Sequence, residues 1–307
     1  MTSAFISHPA CFQHDMGAHH PECPQRLQAI TAALCEADLY DKLQHYDAPR
    51  ATRAQLLRVH TADYLDRIER QAPTQGMAYL DPDTAMNPYS LEAALRASGA
   101  VVLATDLVLR GEVDNAFCAV RPPGHHAGAN FAMGFCIFNN VAVGAAHALA
   151  EYKLERVAIV DFDVHHGNGT EHIFRDEPRV LLCSSFQHPF YPHSGAQAGP
   201  HYVAMPLPSG TQGGAFRRAM QADCFPALRE FKPQVLFISA GFDAHTEDEL
   251  AGLNLIEADY AWVTRELKAI AQETADGKIV SVLEGGYALA ALGRSVVAHI
   301  AELQAAG

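Results

Sequence analysis

The chain reads as an α/β protein, a mostly parallel sheet flanked by helices in one domain spanning 1–307. Three observations predict this. Short apolar runs rich in β-branched residues alternate with longer helical stretches. No internal repeat and no pooled Gly/Pro spacer divides the sequence. Polar groups that are costly to bury stand directly after the apolar runs, where open α/β sheets place their ligand sites.

In chain order, a helix is expected around 24–37 and a second over 89–109. A short strand at 116–120 follows, then a helix over 140–152. The clearest strands are 157–164, 180–185, 235–240 and Ile279–Leu283, all short and β-branched. Helices around 215–231 and 258–271 fill the remaining gaps. The second of these carries Tyr260, Val263, Leu267 and Ile270 at i, i+3, i+7 and i+10, an amphipathic stripe.

Composition narrows the function. With 49% hydrophobic and 19% charged residues, the chain can bury a sizeable core and is not disordered. Lys plus Arg is 22 against 35 Asp plus Glu, a net charge of −13, and no basic cluster offers phosphate neutralisation. Nucleic acid is therefore not an expected partner, and a neutral or cationic substrate is easier to attract. The apolar runs are strand-length and the start lacks a secretory pattern, so no membrane association and a cytoplasmic location are expected. Seven cysteines with no C-x-x-C pair argue against both a disulfide framework and a thiolate zinc site.

The chemistry concentrates in four places. Val157-Ala-Ile-Val-Asp161-Phe-Asp163-Val-His165-His166-Gly-Asn168 runs from an apolar strand into alternating ligands. Period-two alternation would aim Asp161, Asp163 and His165 the same way, and a divalent cation would compensate their burial. Ala240-Gly-Phe-Asp243 again ends a strand in a carboxylate and offers a third ligand. Two carboxylates and one imidazole leave positions open, the pattern of a catalytic metal site. Zinc fits best, with iron(II) or cobalt(II) also suited to the donors.

Arg121-Pro-Pro-Gly-His125-His126 supplies two imidazoles that titrate near neutrality, a candidate acid–base pair. Asp161 and Asn168 are the candidate partners that set each ring's tautomer. Glu284-Gly-Gly-Tyr287 follows the last strand, and Tyr287 could donate to a developing oxyanion. Each piece has a plainer reading as a helix cap, a core histidine or a glycine turn. Their coincidence at strand ends favours chemistry.

Together with His20-Pro-Glu-Cys-Pro-Gln-Arg26 and Met133-Gly-Phe-Cys-Ile-Phe-Asn-Asn140, these motifs resemble the arginase-like histone deacetylase superfamily, in its bacterial class II-like branch related to acetylpolyamine amidohydrolases. The resemblance covers nearly the whole chain and implies a three-layer arginase/deacetylase-like fold. It further implies zinc on Asp163, His165 and Asp243. The tandem histidines His125 and His126 would be oriented by Asp161 and Asn168, and Tyr287 would polarise the acyl carbonyl. Phe135 and an aromatic at Phe190 or Tyr191 would wall an acyl-lysine channel, with Gly134 on its floor and Leu250 at its lip. Asp83 would be the rim carboxylate, and Arg26 would line the acetate exit path. Asp161, Asp163, His165, Ser184 and Ser185 would form a structural potassium site. Two departures stand out. Phe186 occupies a position where relatives commonly carry histidine, and Asp248-Glu249-Leu250 replaces Asp-Pro-Leu.

The expected activity is zinc-dependent hydrolysis of an N-acyl amide, acetyl-lysine or a related acylated amine, by metal-activated water. The alternatives are an acetylpolyamine amidohydrolase and, more remotely, a non-catalytic acyl-lysine binding protein. The sequence leaves the oligomeric state open.

Overall fold

The computed structural model describes residues 1–305, so the last two residues of the expected domain 1–307 lie outside the described span. Among the described residues ten strands form: β1 Ser3–Ser7, β2 Gln44–Asp47, β3 Ala78–Tyr79, β4 Ala85–Met86, β5 Asn115–Cys118, β6 Val157–Asp161, β7 Val180–Gln187, β8 Tyr202–Leu207, β9 Leu236–Ala240 and β10 Ile279–Leu283. The helices are α1 Gln25–Glu36, α2 Arg53–Leu56, α3 Ala62–Gln71, α4 Ser90–Leu109, α5 Asn140–Glu151, α6 Asn168–Phe174, α7 Gly213–Ala219, α8 Phe225–Phe231, α9 Glu257–Thr274 and α10 Leu289–Gln304.

Eight strands make one sheet in the order β2-β1-β5-β10-β9-β6-β7-β8, and every pairing in it is parallel. β3 and β4 form a separate antiparallel pair. Parallel strands are buried on both faces, which is why β5, β6, β7, β9 and β10 are buried at every residue.

Helices cover both faces. Gly144 of α5 approaches Val101 of α4 and Phe237 of β9 so closely that a Cβ there would collide with them. Phe237 pairs with Val280, so its neighbour Ser281 points to the opposite face, where it meets His299 of α10. Helices α4 and α5 thus form one outer layer, and α1, α9 and α10, packed on one another, form the other. The buried apolar residues form one cluster running from Ala4 to Leu303.

Each element that the pattern placed has a counterpart in the structure, and the departures are instructive. The strand expected over 157–164 stops at Asp161, because the next residues turn through side-chain contacts: Asp163 N–H donates to Asp161 Oδ1 at 3.1 Å, and His165 N–H to Asp163 Oδ1 at 2.8 Å. Strand alternation therefore does not aim all three side chains alike. The helix expected over 215–231 is interrupted by a π-helical segment, Met220–Cys224, just before Pro226. Proline lacks an N–H and crowds the carbonyl four residues earlier, so the regular ladder cannot continue through it.

Strands β1, β2, β3, β4 and β8 and helices α2, α3, α6 and α10 are absent from the sequence reading. β2 is a largely exposed edge of four residues, Gln-His-Tyr-Asp, and β8 is the opposite edge and contains Pro206, which only an edge strand tolerates.

What the fold does for function follows from strand order. The four strands preceding the chemical motifs, β5, β10, β9 and β6, are consecutive neighbours. Because they are parallel, their carboxyl ends share one edge, and the segments 119–126, 284–287, 241–243 and 162–168 emerge side by side.

Candidate active site

Ligand atoms of Asp163, His165 and Asp243 lie within 4.8 Å of one another. His165 Nδ1 is 3.1 Å from Asp163 Oδ1 and 3.2 Å from Asp243 Oδ2. Both carboxylates are buried, and their outer oxygens are held by backbone: Val164 N–H donates to Asp243 Oδ1 at 2.9 Å, and Gly285 N–H to Asp163 Oδ2 at 2.8 Å. Gly285 cannot carry a side chain, since a Cβ there would sit 2.1 Å from Asp243 Oδ2.

The residues fit a divalent cation. Asp243 Oδ2 is buried with no hydrogen-bond partner, and burial together with the charge of Asp163 pushes its carboxyl up to about 6. Burial works against a charged His165, yet Asp163 and Asp243 overcome it and raise the imidazole to about 10. Two buried carboxylates therefore demand positive charge between them, and oxygen and imidazole donors suit zinc or a similar borderline ion.

The tandem histidines stand beside this triad with ring centroids 4.0 Å apart. His125 Nδ1 meets Asp161 Oδ2 at 2.9 Å, and His126 Nδ1 meets Asn168 Oδ1 at 2.7 Å. Asn168 Nδ2 donates to Met133 Sδ at 3.2 Å, which fixes the amide so that its oxygen faces His126. Each ring consequently carries a proton on Nδ1, and in a neutral His126 that leaves Nε2 as the working nitrogen. The environments differ in charge. Burial disfavours an imidazolium at both, but Asp161 and Asp163 hold His125 well above the usual histidine range. His126 is pushed well below it by burial and then by the neighbouring imidazoles.

Around this centre the aromatic residues converge. Phe190 stacks on His165 (5.6 Å, 22°), while Tyr191 stands edge-on to His126 and His165. Both candidates for the second wall are therefore at the site. Phe135 meets the half-buried Tyr287 in a T-shaped contact at 5.9 Å. Gly134 has φ +56° and lies against His126, where a Cβ would approach to 2.3 Å, so the chain can pass under the ring only as glycine. Asp83 Oδ1 accepts the Gly134 N–H at 3.0 Å, and Thr84 Oγ1 accepts the Phe135 N–H at 3.0 Å. Asp83 and Thr84 thus brace the backbone of the Gly134–Phe135 turn. Leu250 is 37% exposed.

Arg26 is fully buried. Its Nε donates to Gly286 O at 2.7 Å, its terminal nitrogen to Glu284 O at 2.5 Å, and its guanidinium lies 5.0 Å from the Tyr287 ring. Ser184 pairs in register with Asp161, Ser185 follows it, and the buried Ser184 Oγ has no partner. Phe186 is buried against the His166 ring at 5.0 Å.

Two groups escape the sequence reading. Glu284 is buried and accepts from Gly124 N–H at 2.7 Å, His125 N–H at 3.1 Å and Ser239 Oγ at 3.2 Å, anchoring the tandem-histidine segment. Burial drives its carboxyl up to about 7 against the pull of His125. The signal for it exists: like Asp243, it is a carboxylate directly after an apolar strand. Glu22 is the other; it pairs with Arg26 and Arg121 in a fully buried ion cluster. The i, i+4 spacing of Glu22 and Arg26 is its only local trace.

Comparison with known proteins identifies the family. Residues 20–303 match the model of the histone deacetylase domain. An uncharacterised protein of Synechocystis is 41% identical over 302 residues, covering 96% of this chain and 97% of the relative. The histone deacetylase-like amidohydrolase of Pseudomonas aeruginosa is 36% identical over 326 residues, covering 98% and 86%. The solved HD domain of HDA15 superposes with a TM-score of 0.93 at 35% identity, covering 98% of this chain and 88% of that one. With this match across almost its whole length, the chain belongs to the histone deacetylase family and is a hydrolytic deacetylase.

Proposed function

We propose that this chain, as a single catalytic domain, is a zinc-dependent deacylase that converts an N-acyl amide and water into a carboxylate and a free amine, with acetyl-lysine or a related acylated amine as substrate. One observation carries the reading: an imidazole whose Nε2 is left free, His126, lies beside a triad of two carboxylates and one imidazole, within a ring of aromatic side chains.

Asp163, His165 and Asp243 would hold the cation, through oxygen and Nδ1 donors already facing one point. When bound, it supplies Lewis acidity, polarising a carbonyl and lowering the pKa of water from about 15.7 towards ~7. Phe135, Phe190 and Tyr191 line the acyl-amine stem and exclude bulk water, with Gly134 leaving room beneath them and Leu250 at the entrance. Tyr287 donates a hydrogen bond to the carbonyl oxygen as it gains negative charge. His126 Nε2 accepts a proton from the attacking water and delivers it to the leaving nitrogen. His125, tied to the Asp161 carboxylate, keeps positive charge beside the developing anion. A structural potassium ion at Asp161, Asp163, His165, Ser184 and Ser185 belongs to the same proposal; the unpartnered Ser184 Oγ supports it.

No described helix is long and apolar enough to cross a membrane, and all seven cysteines are free. A reducing cytoplasmic setting accords with those free thiols. The net charge of −13 favours a second, cationic substrate class, acetylpolyamines.

The test is acetate release from an acetyl-lysine peptide before and after chelation, with acetylspermidine run in parallel. Turnover that chelation abolishes and zinc restores is the expected result, and the faster substrate decides between the two classes. Tight hydroxamate binding with no acetate from either substrate would sink the hydrolase reading in favour of an acyl-lysine binding protein.

A further inference from the structure

The turn that carries Tyr287 is gripped from two sides. Arg26 takes its carbonyls, those of Glu284 and Gly286. Its amides go elsewhere: Tyr287 N–H donates to Asp248 Oδ2 at 2.6 Å, and Ala288 N–H donates to the same oxygen at 3.0 Å. The other oxygen of Asp248 accepts the Leu250 N–H at 3.1 Å, and the Asp248 N–H donates to His245 O at 2.9 Å. Asp248 is only 5% exposed. Among the described residues no cationic side chain pairs with it, so its compensation in the structure is backbone N–H dipoles.

A buried carboxylate is costly unless its hydrogen bonds are satisfied, and bonds from N–H to an ionised carboxylate are about twice as strong as neutral ones. We propose that Asp248 is a positioning residue for Tyr287: its carboxylate locks the backbone of the Glu284–Ala288 turn and couples that turn to the loop bearing Leu250 at the channel mouth. This rests on the proposed role of Tyr287 in polarising the carbonyl. The Asp-Glu-Leu segment that replaces Asp-Pro-Leu is thereby tied down by its first residue without the proline. Gly286, at φ +121°, gives the turn a conformation that needs fixing from outside, since nothing intrinsic to glycine prefers it. The Tyr287 ring lies between Arg26 and Phe135, so a shift of its backbone moves the phenol relative to both walls.

The experiment compares Asp248→Asn and Asp248→Ala in the full chain loaded with zinc, each in the native and the Tyr287→Phe background, with an acetyl-lysine peptide as probe. Loss of charge-assisted bonds of this kind should lower kcat about tenfold in the alanine variant and less in the asparagine variant, with KM within about twofold. In the Tyr287→Phe background neither change should lower kcat further by more than about twofold, because the group being positioned is gone. Equal losses in both backgrounds, or a rise in KM at unchanged kcat, would overturn the proposal.

Amide hydrogen exchange supplies a readout independent of turnover. Tyr287 and Ala288 should exchange about tenfold faster in Asp248→Ala, while the amides of β10 stay protected. Unchanged exchange at those two amides overturns the clamp. If the zinc-loaded native chain turns over neither acetyl-lysine nor acetylspermidine, the proposed function fails on its own account, and the exchange measurement still decides whether Asp248 holds the turn.

Discussion

Two buried histidines, His126 in the candidate site and His299 between α10 and the sheet, differ in how their ring nitrogens are used. His299 lies between α10 and the sheet, fully buried and ringed by Phe117, Phe162 and Phe242. Thr264 gives its hydroxyl proton to Tyr260 O at 2.7 Å and so accepts from His299 Nδ1–H at 2.6 Å, while Ser281 Oγ donates to Nε2 at 2.9 Å. Both ring nitrogens are spent. His126 is almost as buried, at 4% exposure, but only its Nδ1 has a partner. A buried histidine becomes chemistry when one nitrogen is left over and faces a place where a substrate can come. Burial and a lowered basicity, which both share, do not make that distinction.

The sharpest way to break the comparison is to remove the spare nitrogen. His126→Ala should cost about 10²–10⁴ in kcat, the usual contribution of a positioned acid–base group, with little change in Tm. Turnover within a factor of a few of the native chain would remove His126 from the mechanism. Tyr287→Phe comes next. It should lose roughly 10²–10³ in kcat while zinc content, read by atomic absorption, stays the same. A variant with full activity would leave the hydroxyl without a role.

The smallest effect belongs to His299, and it concerns stability. Burial alone pushes this imidazole from 6.5 down to about 3, so the native state stays neutral where the unfolded chain takes up a proton. The unfolded state then binds more protons between those values, and stability falls as pH drops from about 6.5 towards 3. His60, lowered to about 4 by burial, adds the same sign over the upper part of that window. Thermal melts from pH 7 to 4 should therefore show a declining Tm, with a shallower slope in His299→Gln, which cannot titrate. An identical slope would assign the acid sensitivity to other groups. The folded His299→Gln protein should keep kcat within about twofold; a large loss would erase the contrast with His126.

How much of this was legible beforehand depends on how local each feature is. The strands β6, β7, β9 and β10 and the helices α4, α5 and α9 announce themselves through β-branched runs and apolar stripes. Asp163, His165, Asp243, His125, His126 and Tyr287 were visible as polar groups leaving such strands. The edge strands β2 and β8 were not, because an exposed edge needs no apolar signature. Glu284 shows the same local signal as Asp243, a carboxylate directly after an apolar strand, but its partners, the Gly124 and His125 amides and Ser239 Oγ, lie far away in the chain and give that signal no chemical role to read.

Residue chemistry and local periodicity, both written within a few positions of each residue, determined that this is an α/β protein with carboxylates and imidazoles at strand ends. Only the tertiary structure decided that β5, β10, β9 and β6 lie side by side. It also decided that Gly285 reaches Asp163 from 122 residues away, and that His126 keeps a free nitrogen while His299 does not. The physical reason is that strand order, and which partners satisfy a buried polar group, follow from packing the whole core at once. No window of sequence contains both members of such a pair.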